Sequence, residues 1–171
     1  MDGDELRALQ APLKDRYREE PAAAVLTLRA EGVLGAEEPS CSVATGRALV
    51  EAGLHPYSGG DGTLACSGDM LLQALVACAG VTLTSVAINR GIEVRGTVRA
   101  EGDLDFKGTM GIDRDAPVGF SAIRLLFDVE SDADPDDLAA VLTTTERYCV
   151  VYQTLSNPQR CRRHEAVDVT T

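Results

Sequence analysis

Nineteen consecutive residues, Met70 to Ile88, carry no charge, and this run limits the folds open to the chain more than any other feature. As a helix it would extend about 28 Å, enough to cross the apolar part of a bilayer. Its composition argues against that. Gln73, Thr82, Thr84 and Ser85 interrupt it, no aromatic residue flanks it, and no second such run occurs in the chain. A helix enclosed by its own protein has the same pattern. Both ends are marked: Ser67 is a capping residue, Asp69 puts a carboxylate in the first turn, and Gly91 is placed to stop the helix. The run predicts a central helix buried on all sides and no membrane partner.

The flanking segments read mostly as strands. Ala24 to Glu31 alternates apolar and polar residues, Gly32 to Pro39 supplies turn residues, and Ser40 to Glu51 is again extended, which together predict a hairpin. Pro56 to Gly62 is loop. Ile92 to Lys107 and Phe120 to Val129 alternate as well, joined by the Gly108–Gly119 connection. Asp134-Pro135-Asp136-Asp137 is a helix start, and Leu138, Val141, Leu142 and Thr145 line one face of the helix it opens. Helical character lapses near Cys149 and resumes from Val150 to Leu155, and Arg160 to Val169 reads as an edge strand. The expected fold is α+β, a long buried central helix wrapped by antiparallel strands. It forms a single domain over 22–171, preceded by a charged, solvent-facing helical extension over 1–21.

Charge and cysteine content narrow the partners. Asp and Glu exceed Lys and Arg by 27 to 16, for a formal charge of −11, and aromatics are 4% with no tryptophan. Such a surface repels phosphate backbones and offers little to stack on bases, so no nucleic-acid partner is expected. The N-terminal segment is charged and lacks an apolar core. With five cysteines and no C-x-x-C pair, this predicts a cytoplasmic protein whose thiols are reduced. Two histidines and that cysteine spacing predict no metal site.

Chemistry, if present, lies with two of the thiols. Cys78 stands in the middle of the uncharged run and shares a helical face with Leu71, Ala74, Leu75, Val81, Thr82 and Ser85. That environment suits a small core hydrophobe as well as a reactive thiol. Cys149 comes directly after Glu146-Arg147-Tyr148, where Arg147 is close enough in sequence to stabilise a thiolate. Cys66 precedes Cys78 by twelve residues, about 18 Å along a helix and too far to pair with it. Cys41 and Cys161 read as packing residues in strands. His55 is a loop residue, and a hydrolase reading with His55 as base needs a Cys–His contact.

In their order along the chain, three segments carry a resemblance. They are Gly59-Gly60-Asp61-Gly62, the run from Ser67-Gly68-Asp69-Met70 to Val76-Ala77-Cys78, and Glu146-Arg147-Tyr148-Cys149-Val150-Val151. With them, residues from about Val25 to Val169 resemble the OsmC/Ohr family of hydroperoxide-reducing thiol enzymes. The resemblance implies an OsmC-like fold and an intertwined homodimer. It also implies a peroxiredoxin-like organic hydroperoxide reductase, an antioxidant enzyme of the oxidative stress response. Cys78 would be the peroxidatic thiol, oxidised to a sulfenic acid, and Cys149 the resolving thiol that closes a disulfide with it. No cofactor is implied; an external dithiol or lipoyl-type group would be the reductant.

The family stabilises its thiolate with an arginine held by an acidic residue. Asp69 is the candidate acid here, although it precedes Cys78 by nine residues and two and a half turns, on the opposite helix face. Arg47 and Arg29, on the hairpin strands, are the candidate arginines. The alternative is a non-catalytic OsmC-like dimer that binds a hydrophobic small molecule in the same pocket.

Overall fold

The computed structural model describes residues 3–34, 41–43 and 52–157. The elements, in chain order, are α1 (Gly3–Glu19), β1 (Val25–Leu34), β2 (Cys41–Val43), β3 (Ala52–Gly53), β4 (Ala65–Cys66), α2 (Ser67–Asn89), β5 (Arg95–Asp105), α3 (Phe106–Thr109), β6 (Phe120–Glu130), α4 (Pro135–Tyr148) and α5 (Val150–Ser156). Four strands form one sheet in the order β2-β1-β5-β6. Each neighbouring pair is antiparallel. β3 and β4 make a separate two-stranded parallel pair.

The uncharged run is the central helix α2, 23 residues long. It has the length and apolarity to cross a bilayer, yet much of it is committed to the protein's own core. Leu72, Leu75, Val76, Ala79, Leu83 and Ala87 are buried against Val94, Val98 and Ala100 of the β5 side and Val141 of α4. β6 supplies Ile123, Leu125, Phe127 and Val129 to the same core, while the residues between them are exposed. That alternation is the two-residue period of a strand with one wet face. On the wet face Arg124 pairs with Glu101 at 3.3 Å and Asp103 at 2.6 Å across the β5–β6 boundary.

The ends of α2 differ in how well the sequence marks them. At the C-terminus Gly91 adopts φ +68°; its N–H donates to Ile88 O at 3.0 Å and that of Ile92 to Ala87 O at 2.9 Å. These two bonds close a Schellman motif, as the glycine predicts. At the N-terminus the cap is Cys66 and not Ser67, and no side chain caps it. Pairing of β4 with β3 holds Cys66 extended, so the helix starts one residue earlier than the hydroxyl suggests. α4 begins where read: Asp134 accepts the Asp136 N–H at 2.9 Å, with Pro135 in the first position. Cys149 (φ −71°, ψ 106°) then breaks the helical path, closing α4 and opening α5.

Two expectations need correction. α2 is not buried on all sides by its own chain: Leu71, Val81 and Ile88 are 38%, 39% and 52% exposed, and Ala74 is exposed beside them. These residues fall on one stripe, opposite the face that meets the sheet. Nor is the N-terminal helix wholly solvent-facing. Tyr17 is 2% exposed, in a small second core with Ala24 and Phe106, and its hydroxyl donates to Tyr57 O at 2.8 Å. Charge dominates that helix, and Tyr17 docks it together with Leu13, packed on the same cluster, and Gln10, whose Nε2 donates to Ser58 O at 3.1 Å.

β1 and β2 pair as the expected hairpin, Leu34 opposite Cys41. The hairpin tip, the extended segment beyond Val43 and the expected Arg160–Val169 strand lie outside the described residues.

Candidate active site

Cys78 sits at mid-length of α2, half-buried, on the stripe that its own chain leaves open. Cys149 is fully buried at the α4–α5 joint. The break in the helical path is what brings Cys149 to Cys78, because it turns the start of α5 toward α2. Backbone bonds fix the joint: Cys149 N–H donates to Thr145 O at 2.8 Å, and Gln153 N–H to Cys149 O at 2.9 Å. The Cys149 sulfur itself caps α5, accepting the Tyr152 N–H at 3.4 Å. Thr145, one turn back, is fully buried and its hydroxyl donates to Val141 O at 2.9 Å.

The two thiols are brought together and driven apart in acidity. Burial pushes the Cys78 thiol up. Four donors outweigh that: the Val151 N–H, the Cys149 thiol, the Val150 N–H and the Thr82 hydroxyl all hydrogen-bond its sulfur, and the net effect holds Cys78 below the usual thiol range. Burial also pushes Cys149 up, and although the Tyr152 N–H opposes it, donation to Cys78 and the charge there raise it further, to about 11. Of the pair, Cys78 is the one that ionises first and Cys149 the one that keeps its proton. Thr82, one turn beyond Cys78, has a single hydroxyl proton, which alternates between the Cys78 sulfur and the Cys78 carbonyl oxygen at 2.7 Å. A groove of about 390 Å³ starts beside Thr82 and runs between α2 and α4, lined by Val81, Ser85, Val86, Asn89, Arg90, Thr144 and Tyr148.

The remaining candidates lie elsewhere or outside the described residues. Asp69 faces His55 at the start of α2. Burial raises the Asp69 carboxyl and the His55 charge lowers it; burial lowers His55 and Asp69 raises it. His55 accepts the Tyr57 N–H on Nδ1 at 3.1 Å, stacks on Phe106 at 5.2 Å and meets Tyr57 edge-on at 5.5 Å. Its described neighbours are therefore aromatic rings and a carboxylate, not a thiol, which leaves the hydrolase reading without its Cys–His contact among the described residues. Arg29 lies on β1 opposite Glu101 in the register; its side chain, and Arg47 and Cys161 altogether, lie outside the described residues. Arg147 does not serve a thiolate among the described contacts: it is exposed, with its guanidinium 5.5 Å from the Tyr148 ring centre.

The Val150 and Val151 N–H groups are the part of the site that sequence reading missed. Backbone donors carry no residue signature. The sole signal was the lapse of helical character at Cys149, since amides at a helix start have no intrahelical partner.

A family model described as OsmC-like protein matches residues 60–162, more than half of the chain. The match spans α2, Cys78, the sheet strands β5 and β6, and Cys149. No curated protein matches the chain.

Proposed function

The chain belongs to the OsmC-like protein family, and on that premise we propose that it is a thiol-dependent peroxidase reducing organic hydroperoxides to alcohols. One observation carries the reading: Cys78 and Cys149, 71 positions apart in the sequence, meet with their proton affinities shifted in opposite directions, Cys78 lowered and Cys149 raised. The thiolate is the nucleophile toward peroxide oxygen, and a neighbouring thiol traps the sulfenic acid as a disulfide before further oxidation. The groove beside Thr82 favours an organic tail over hydrogen peroxide, through burial of apolar surface. An external dithiol or lipoyl-type group in a reducing cytoplasm returns the disulfide to thiols, and this places the protein in the oxidative stress response. A second copy on the open stripe of α2 makes the homodimer that the family resemblance implies.

The test is a titration of reduced protein with one equivalent of cumene hydroperoxide, with thiol loss timed and the product mapped by mass. Rapid loss of two thiols as a Cys78–Cys149 disulfide is expected, abolished in Cys78→Ser. Slow oxidation scattered over Cys41, Cys66 and Cys161 would overturn the peroxidase. The same groove then supports the second reading, a dimer that binds a hydrophobic small molecule without turning it over.

A further inference from the structure

We infer that Cys149 acts twice: before it resolves the sulfenic acid, its thiol is the acid that protonates the departing alkoxide. The inference rests on the peroxidase reading. Alkyl hydroperoxides expel an alkoxide, a strong base, and expulsion without a proton is slow in surroundings that solvate charge poorly. A proton donor must therefore stand beside the reacting sulfur.

The groups in contact with Cys78 leave one suitable donor among the described residues. The Val150 and Val151 amides donate hydrogen bonds but do not release protons at neutral pH. The Thr82 hydroxyl is about as weak an acid as the alcohol product, so transfer from it gains nothing. Asp69 and His55 face each other near the start of α2, two and a half turns from Cys78. Cys149 is fully buried, so its proton is not exchanged freely with bulk water. Its sulfur accepts the Tyr152 N–H at 3.4 Å, and Cys78 packs against the core cluster that contains Cys149, so the Cys149 thiol has the Cys78 sulfur as its hydrogen-bond acceptor. A thiol is a far stronger acid than an alcohol, even when burial weakens it, so transfer to an alkoxide runs downhill.

The steps balance. The Cys78 thiolate forms an S–O bond with the distal oxygen and the O–O bond breaks, its electron pair leaving on the proximal oxygen. The Cys149 proton converts that alkoxide to alcohol. Cys149, now a thiolate, forms the S–S bond with Cys78; the S–O bond breaks and hydroxide departs, taking a proton from solvent. Two electrons pass from the sulfurs to the peroxide. Delivering the proton thus produces the form of Cys149 that the second step needs.

A pair of oxidants tests this. Cumene hydroperoxide expels an alkoxide, whereas peracetic acid expels acetate, which needs no proton. The readout is the ratio of their rate constants for sulfenic acid formation on Cys78 in a single turnover, at a pH where Cys78 is fully ionised. In Cys149→Ala the cumene-to-peracid ratio is expected to fall about a hundredfold or more from the wild-type value. Cys149→Ser, which keeps a hydroxyl of similar size, is expected to show much of the same fall and guards against a packing defect. In the wild type, rates across alkyl hydroperoxides should depend only weakly on the acidity of the leaving alcohol. An unchanged ratio in both variants, or a steep leaving-group dependence in the wild type, overturns the inference and leaves the peroxidase standing. Wild-type Cys78 reacting with neither oxidant faster than free cysteine overturns the peroxidase reading, and this inference with it.

Discussion

Thr82 shows how one hydroxyl serves both backbone and site. Its bond to the Cys78 carbonyl at 2.7 Å is ordinary for a threonine one turn along a helix. The same single proton, turned to the Cys78 sulfur instead, makes Thr82 one of four donors that lower that thiol. Thr82→Val keeps the shape and removes the donor. The pH midpoint of Cys78 alkylation by iodoacetamide should then rise; an unmoved midpoint would assign Thr82 to the backbone alone.

Cys149 gives a second prediction at this scale, with opposite sign. It binds its proton more tightly in the folded chain than in the unfolded one. The associated stabilisation is fully present below the ordinary thiol value of about 8.5 and is lost as pH rises through about 11. Cys78, lowered in the fold, contributes stability above the unfolded value that is lost as pH falls through its folded one. Urea midpoints between pH 8 and 11 should therefore decline less steeply in Cys149→Ala than in the wild type. Parallel declines in the two proteins would refute this.

At the scale of elements, two glycines with positive φ separate conformational need from spatial need. Gly91, φ +68°, ends α2, and a Cβ there would meet nothing within 4 Å. Gly91→Ala should cost about 1 kcal/mol, the penalty of an L-residue in the left-handed region. Gly96, φ +132°, lies in β5, where a Cβ would stand 2.1 Å from Asp128 O and 3.0 Å from Val129 Cα on β6. Both are backbone atoms of the paired strand, so no side chain can yield. Gly96→Ala should cost roughly 3 kcal/mol and disturb the Gly96–Val129 register. Chemical denaturation of both variants checks the order, and equal costs would mean that β6 moves aside freely. The α4–α5 joint is the element on which the site depends. A seven-residue helix has little stability of its own, so α5 is placed by its packing on α2 and by the Cys149 cap.

For the whole molecule, the open stripe of α2 is the dominant feature. Leu71, Val81 and Ile88 expose apolar surface on a chain whose formal charge of −11 otherwise keeps copies apart. The proposed dimer covers this stripe and encloses Cys78, which sits within it. Val81→Glu places a charge in the middle of that contact. Sedimentation should give twice the chain mass for the wild type and a shift toward a single chain for Val81→Glu. A monomeric wild type at micromolar concentration would remove the dimer from the reading.

Much of this was legible in the residue string, because it obeys local rules. The uncharged run had to be a core helix, since Gln73 and Thr84 sit poorly in lipid and alternating strands flank it. Gly91 had to end it, since only a residue without a Cβ takes that φ at no cost, and Asp134 had to open α4. Ser67 misled as a cap because pairing with β3, a contact made at a distance, held Cys66 extended first. Cys78 and Cys149 were singled out by family resemblance alone; composition and spacing left each equally suited to packing. The tertiary structure decided the rest: that one face of α2 is left open, that Asp69 faces His55, and that the two sulfurs meet. It also decided that backbone amides at the start of α5 lower the Cys78 thiol. Those outcomes depend on groups brought together from distant parts of the chain. A peptide N–H that is alike at every residue becomes a specific donor only where folding aims it.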